Sequence, residues 1–136
     1  MGVAFHYSVP EEQIVHKGFQ RYMEKVCEDM EMDVLEILGF SRRLELCNLR
    51  HLLMTIAYHE FGLTVTTVGK IFNKDHTTIT YAKGRMEEYL SDRVVLQARP
   101  HLHKCVLSAD RVFFNEWGHN FNLISKWLIQ AKSVSK

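Results

Sequence analysis

Several features that would make this chain a disulfide scaffold, a membrane protein or a nucleotide-driven enzyme are missing. Three cysteines, Cys27, Cys47 and Cys105, are odd in number, widely spaced and in no paired motif. That argues against a disulfide framework and fits a reducing cytoplasm, with the thiols expected in the core. No run approaches the roughly 18 consecutive apolar residues of a membrane span, and the N-terminus lacks the basic-then-apolar pattern of a secretory signal. A soluble, cytoplasmic chain with no membrane partner is the expectation. No Gly-x-x-x-x-Gly-Lys-Ser/Thr loop occurs, so nothing cradles nucleotide phosphates, and neither a nucleotide nor any other cofactor is expected. No general-base pair, nucleophile constellation or metal cluster stands out, so no catalytic residue and no enzyme is expected. His101, His103 and Cys105 follow Pro100 at a spacing of two, which aligns ligands only in an extended segment, and no fourth ligand follows at a familiar interval. No metal is expected.

Net charge is also nearly absent, at +1 over 136 residues. Its distribution is not even. Residues 1–40 hold three Lys/Arg against eight Asp/Glu, whereas residues 41–85 hold seven against three. A neutral whole with a basic middle favours local phosphate contacts over the general stickiness of a basic tail. With 46% hydrophobic residues, the length suits one compact domain, 1–136.

What is present is helical periodicity. Ser8-Val9-Pro10-Glu11 combines a capping serine with a proline allowed in the first turn, and starts a helix bearing Val15, Phe19, Tyr22, Val26 and Met30. Asp33 caps a short helix with Val34, Leu35 and Leu38, stopped by Gly39 before the basic stretch Ser41-Arg42-Arg43. Leu49, Leu52, Leu53, Ile56 and Ala57 follow the i, i+3, i+4, i+7, i+8 rule. Thr64 caps a helix whose Val65, Val68 and Phe72 point inward, and Asn73-Lys74 makes a turn. The next helix opens on Asp75-His76-Thr77-Thr78. It buries the stripe Ile79, Ala82, Met86 and Tyr89, leaving His76, Thr77, Thr80 and Lys83 outside it. Pro100 reads as a break, followed by helices from Val106 to Trp117 and Asn120 to Ala131 separated by Gly118. There is no repeat and no convincing strand.

Residues 65–85 therefore have the outline of a helix-turn-helix. The N-terminus of its second helix carries unsatisfied N–H groups and partial positive charge, which draw a phosphate close and carry the first side chains to base edges. With Asp75-His76-Thr77-Thr78-Ile79, Val68-Gly69 and Phe72, Arg50-His51 introducing the Leu49–Ala57 helix, and Val34-Leu35-Glu36-Ile37-Leu38 before Ser41-Arg42-Arg43, the chain from about Glu12 to Leu90 resembles the C-terminal DNA-binding domain of the bacterial replication initiator DnaA. The resemblance implies an all-α helical bundle with a central helix-turn-helix, of the DnaA domain IV or Trp-repressor type. It further implies double-stranded DNA as partner, with Asp75, His76, Thr77 and Thr78 reading the major groove and Arg42 the minor groove. Arg43, Arg50, His51, Lys74, Thr80 and Lys83 become the expected phosphate contacts. The base-reading types match what the grooves offer, since aspartate accepts from cytosine N4, threonine meets a thymine methyl, and arginine suits a narrow A·T-rich minor groove. Against the family pattern, Gly39-Phe40-Ser41 replaces a denser basic run, Leu49 a proline, and the turn before Lys74 is one residue shorter.

On this basis residues 8–92 form the DNA-binding core and 93–136 a helical extension. The expected function is non-catalytic, sequence-specific binding at a DnaA-box-like site, in regulation of replication or transcription. The alternative is an interaction adaptor. Its Phe113, Phe114, Trp117, Phe121 and Trp127 would then form a homodimer or protein-partner face instead of covering the core.

Overall fold

The computed structural model describes residues 11–121 and Trp127, with side chains from Val15 onward. Every element in this range is helical: α1 Glu11–Asp29, α2 Val34–Ile37, α3 Leu44–His59, α4 Val65–Phe72, α5 His76–Leu90, α6 Arg93–Gln97 and α7 Pro100–Trp117. The Ser8–Pro10 start signal and nearly all of the expected Asn120–Ala131 helix lie outside the described residues. Trp127 is helical and buried, edge-on to the His59 ring at 5.2 Å.

α3 is the hub. The stripe expected from its periodicity is fully buried, and Leu46, Met54 and Thr55 join it, so the helix is enclosed on more than one side and packs against α2, α4, α5 and α7. Burying one leucine or isoleucine of this kind is worth about 1.5–3 kcal/mol, which makes α3 the main source of cohesion. α1 lies against α7, burying Phe19, Tyr22, Met23, Val26 and Cys27. The Tyr22 hydroxyl, inside this core, donates to the Ala109 carbonyl at 2.8 Å, so its burial leaves no orphaned donor.

The C-terminal part differs from the sequence expectation in two places. Asp92 caps an unforeseen short helix, α6, accepting from Val94 N at 2.9 Å and Val95 N at 3.3 Å. Pro100 begins α7 where a break was expected, because a proline in the first helical turn gives up an N–H that would be unpaired anyway. Leu96, Leu102, Cys105, Val106, Ala109 and Phe113 then enter the same core as α1 and α3. In α2 the buried side chain is Ile37, while Leu35 is 73% exposed. In α5, Leu90 closes the buried stripe and Tyr89 sits at its edge.

The helix-turn-helix itself depends on one close approach. Asn73 ends α4 in the left-handed region at φ 54°, and Lys74 N bonds back to the Gly69 carbonyl at 2.8 Å. This folds the chain so tightly over α4 that a Cβ on Gly69 would lie 2.6 Å from the Lys74 backbone oxygen. Gly84, inside α5, has nothing within 4 Å of such a Cβ. Gly69→Ala is therefore expected to destabilise the fold by about 1–3 kcal/mol through overpacking, whereas Gly84→Ala should stabilise it by up to about 1 kcal/mol through helix propensity. Urea unfolding of the two variants measures the contrast, and equal effects would refute the steric account of the turn.

Candidate nucleic-acid interface

The opening of α5 projects from the body of the protein. Asp75, His76, Thr77, Thr78 and Thr80 are all exposed, while Ile79 directly among them is completely buried and anchors the turn. Asp75 occupies the N-cap position with extended backbone, φ −67° and ψ 148°, but its side chain makes no capping bond to the helix backbone. Its carboxylate instead accepts from the Thr77 hydroxyl and lies 3.2 Å from His76 Nδ1. The Thr77 hydrogen bond, with His76 beside it, holds the Asp75 carboxyl below its usual range, so it stays an ionised acceptor at neutral pH. Thr80 returns its hydroxyl to the His76 carbonyl at 3.0 Å.

The basic loop between α2 and α3 is brought beside this helix end by two cations. Lys74, from the turn, donates to the Gly39 carbonyl at 3.0 Å with its ammonium 4.0 Å from the centre of the Phe40 ring. Arg50, from α3, gives Nε to Ile37 O at 2.6 Å, Nη2 to Glu36 O at 3.0 Å and Nη1 to Ser41 O at 2.9 Å. The first two acceptors are last-turn carbonyls of α2, and the Glu36 carbonyl also accepts from Gly39 N at 3.1 Å. Arg50 is 4% exposed. This corrects its assignment as a phosphate contact: the guanidinium is consumed in shaping the loop. Lys83, also expected at a phosphate, bonds Glu87 at 3.1 Å and lies over the Tyr58 ring, with its side chain 17% exposed.

Arg42 and Arg43 remain on the surface of the loop. Arg43 pairs loosely with Glu45 at 3.6 Å, and Arg42 has no ion pair among the described residues. His51 is partly buried, and burial together with Arg50 and Lys74 pulls its imidazole below the ordinary value. It would therefore meet a phosphate as a neutral donor. Thr66, Gly69, Lys70, Asn73, Lys74 and His76 line a shallow concavity between α4 and the start of α5. The sequence expectation passed over Lys70, although its position one turn before Lys74 on a polar helix face was a usable signal.

Burial pushes the Cys27 and Cys105 thiols up to about 12. His101 meets Asn48 at 3.4 Å and Cys105 at 3.7 Å, and among the described residues no three His, Cys, Asp or Glu side chains gather as a metal site. No described helix is long and apolar enough to cross a membrane. Of the tail aromatics, Phe113, Phe121 and Trp127 are buried, and only Phe114 and Trp117 stay half exposed.

Two measurements follow from this geometry. Arg50→Lys keeps the charge but cannot span three carbonyls, so thermal melting should show a loss of about 3 kcal/mol; a loss below about 0.5 kcal/mol, the range of ordinary surface changes, would remove Arg50 from its structural role. Because His51 is held below the unfolded value of 6.5, the unfolded chain binds more protons just below that pH. Its contribution to stability is present above about pH 6.5 and is lost on acidification, by at most about 1.4 kcal/mol per pH unit. His51→Gln should flatten that part of a stability–pH profile.

Comparison with known proteins agrees with this architecture. Residues 19–85 match the family described as the bacterial dnaA protein helix-turn-helix. The chain is 29% identical over 77 residues to the chromosomal replication initiator protein DnaA of Thermomicrobium roseum, covering 56% of this chain and 17% of that protein. It is 32% identical over 82 residues to the DnaA of a Synechococcus species, covering 60% of this chain and 17% of that protein. The chain thus spans 17% of the length of these curated relatives. No solved structure matches it significantly. The matched stretch takes in α2, α3, α4 and most of α5, with the tight turn, the basic loop and the Asp75–Thr78 helix opening. Over residues 19–85 this chain is similar to the bacterial DnaA helix-turn-helix family.

Proposed function

We propose that the protein binds double-stranded DNA sequence-specifically, at a site similar to the box recognised by the initiator, and acts without catalysis in the regulation of replication or transcription. The carrying observation is the pairing of an exposed, polar α5 opening with an exposed Arg42 on a loop tethered to that same opening through Lys74 and the Gly39 carbonyl. A helix end with free N–H groups set in the major groove and an arginine reaching into the neighbouring minor groove together read sequence and fix register.

In this reading Asp75, His76, Thr77 and Thr78 meet base edges. The ionised Asp75 carboxylate accepts from cytosine N4, and the Thr77 and Thr78 methyl and hydroxyl groups meet thymine or either base. Arg43, His51, Lys70 and Lys74 contact phosphates and position the helix without specifying sequence. Lys74 serves twice, since an ammonium has three donors and the Gly39 carbonyl takes one. Thr80 completes the polar flank.

Fluorescence anisotropy with box and scrambled duplexes across a salt series tests the proposal. About four phosphate contacts correspond to a log–log slope of roughly −4 for both duplexes, with the box favoured at physiological salt. Thr77→Ala removes a base contact and frees the Asp75 carboxylate, so the gap between duplexes should narrow by about 1–3 kcal/mol. Arg42→Ala should weaken binding most where the box has A·T-rich flanks. Equal loss on both duplexes for Thr77→Ala would overturn the base-reading assignment, and indifference of Arg42→Ala to flank composition would take Arg42 out of the minor groove.

A further inference from the structure

The outer face of α5 carries a feature that the base-reading end does not use. Thr77, Tyr81, Arg85 and Tyr89 recur every fourth residue and form one ridge along the helix. Arg85 Nη1 donates to the Tyr81 hydroxyl at 2.8 Å and Nη2 to the Tyr89 hydroxyl at 2.7 Å, and the Arg99 guanidinium lies 4.3 Å from the centre of the Tyr89 ring. Tyr81 is 64% exposed. We propose that Tyr81, Arg85 and Tyr89 clamp a DNA backbone phosphate at the rim of the major groove, a contact separate from the base-reading end; this rests on the DNA-binding function proposed above.

Three arguments support the clamp. The first is donor supply. Of the five N–H donors of a guanidinium, two go to the phenols, so three remain, and each phenol that accepts from arginine still has its own O–H to give. A hydroxyl that accepts a charged hydrogen bond is polarised into a better donor. The cluster presents a positive charge with spare donors, which suits a phosphodiester oxygen. The second is charge. Glu87, two residues from Arg85, is taken by His59 and Lys83, and although Glu88 lies exposed at the i+3 position, Arg85 forms no ion pair among the described residues and gives its hydrogen bonds to the phenols. An exposed arginine held between phenols is worth little to stability, yet its side chain is already ordered, so less freedom is lost when an anion arrives.

The third is reach. Arg85 lies eight residues beyond Thr77, about 12 Å further along the helix axis, and the major groove is about 8.5 Å deep. With Thr77 at the base edges, Arg85 stands level with the sugar-phosphate rim and not with the groove floor. The same spacing keeps it from reading sequence.

The test is anisotropy on the same box and scrambled duplexes, comparing the wild-type chain with Arg85→Gln and with the double variant Tyr81→Phe and Tyr89→Phe. Arg85→Gln should weaken both duplexes by the same factor, about five- to tenfold at physiological salt, and flatten the log–log slope by about 0.9. The phenylalanine pair keeps the rings and removes the hydroxyls; it should weaken both duplexes about threefold with the slope unchanged, and thermal melting of every variant should match the wild type. If the wild type prefers the box and Arg85→Gln leaves affinity and slope intact, the clamp is wrong while the base-reading end stands. A narrowed preference in Arg85→Gln would make Arg85 a base reader and equally overturn the clamp. Failure of the wild type to bind either duplex would defeat the DNA-binding function itself, and the clamp with it.

Discussion

A single buried guanidinium organises the surface that matters here. Arg50 belongs to the central helix yet spends its donors on the carbonyls of Glu36, Ile37 and Ser41, closing the end of α2 and setting the path of the loop that follows. Burying a charge is costly unless hydrogen bonds surround it, and here carbonyl dipoles take that part in place of a carboxylate. The loop gains a fixed shape, and Arg42 and Arg43 a fixed origin. Without it, the residues between the two helices would carry their cations wherever solvent allowed.

The second fixed point is the turn. Gly69 allows the backbone of Lys74 to pass where any side chain would collide, Asn73 supplies the left-handed residue, and Ile79 pins the start of α5 into the core. Lys74 leaves this turn pointing at the loop and joins it through Gly39 and Phe40. The helix opening and the basic loop, far apart in sequence, thereby become one rigid surface. Preorganisation of this kind lowers the ordering cost of recognising an extended ligand.

α1 and the C-terminal helices pack against one another. α7 binds α1 through the Tyr22–Ala109 hydrogen bond, through Asp29 with Ser108 and Arg111, and through Lys25 with Glu116. Phe113 and Phe121 close over this junction. The family match ends at residue 85, yet the core runs on without a seam into α6 and α7.

Much of this was legible from residue order. Helical spacing of Leu49, Leu52, Leu53, Ile56 and Ala57 marks α3 because burial of one stripe is the dominant force on a helix. Local chemistry marks Thr64 as a cap, Asn73 as a turn residue and Gly118 as a stop, all three realised in the backbone. Where the outcome depended on partners distant in sequence, residue order was silent. Arg50 and Lys83 look like surface cations until α2 supplies carbonyls to one and Glu87 turns toward the other. Asp75 looks like a simple cap until Thr77 and His76 compete for its oxygens. The sequence by itself determined which segments are helices and that a polar helix opening follows a tight turn, because these rest on contacts within a few residues. Only the tertiary structure decided which cations are free to meet a ligand, because a long charged side chain goes to whichever acceptor the fold brings within reach.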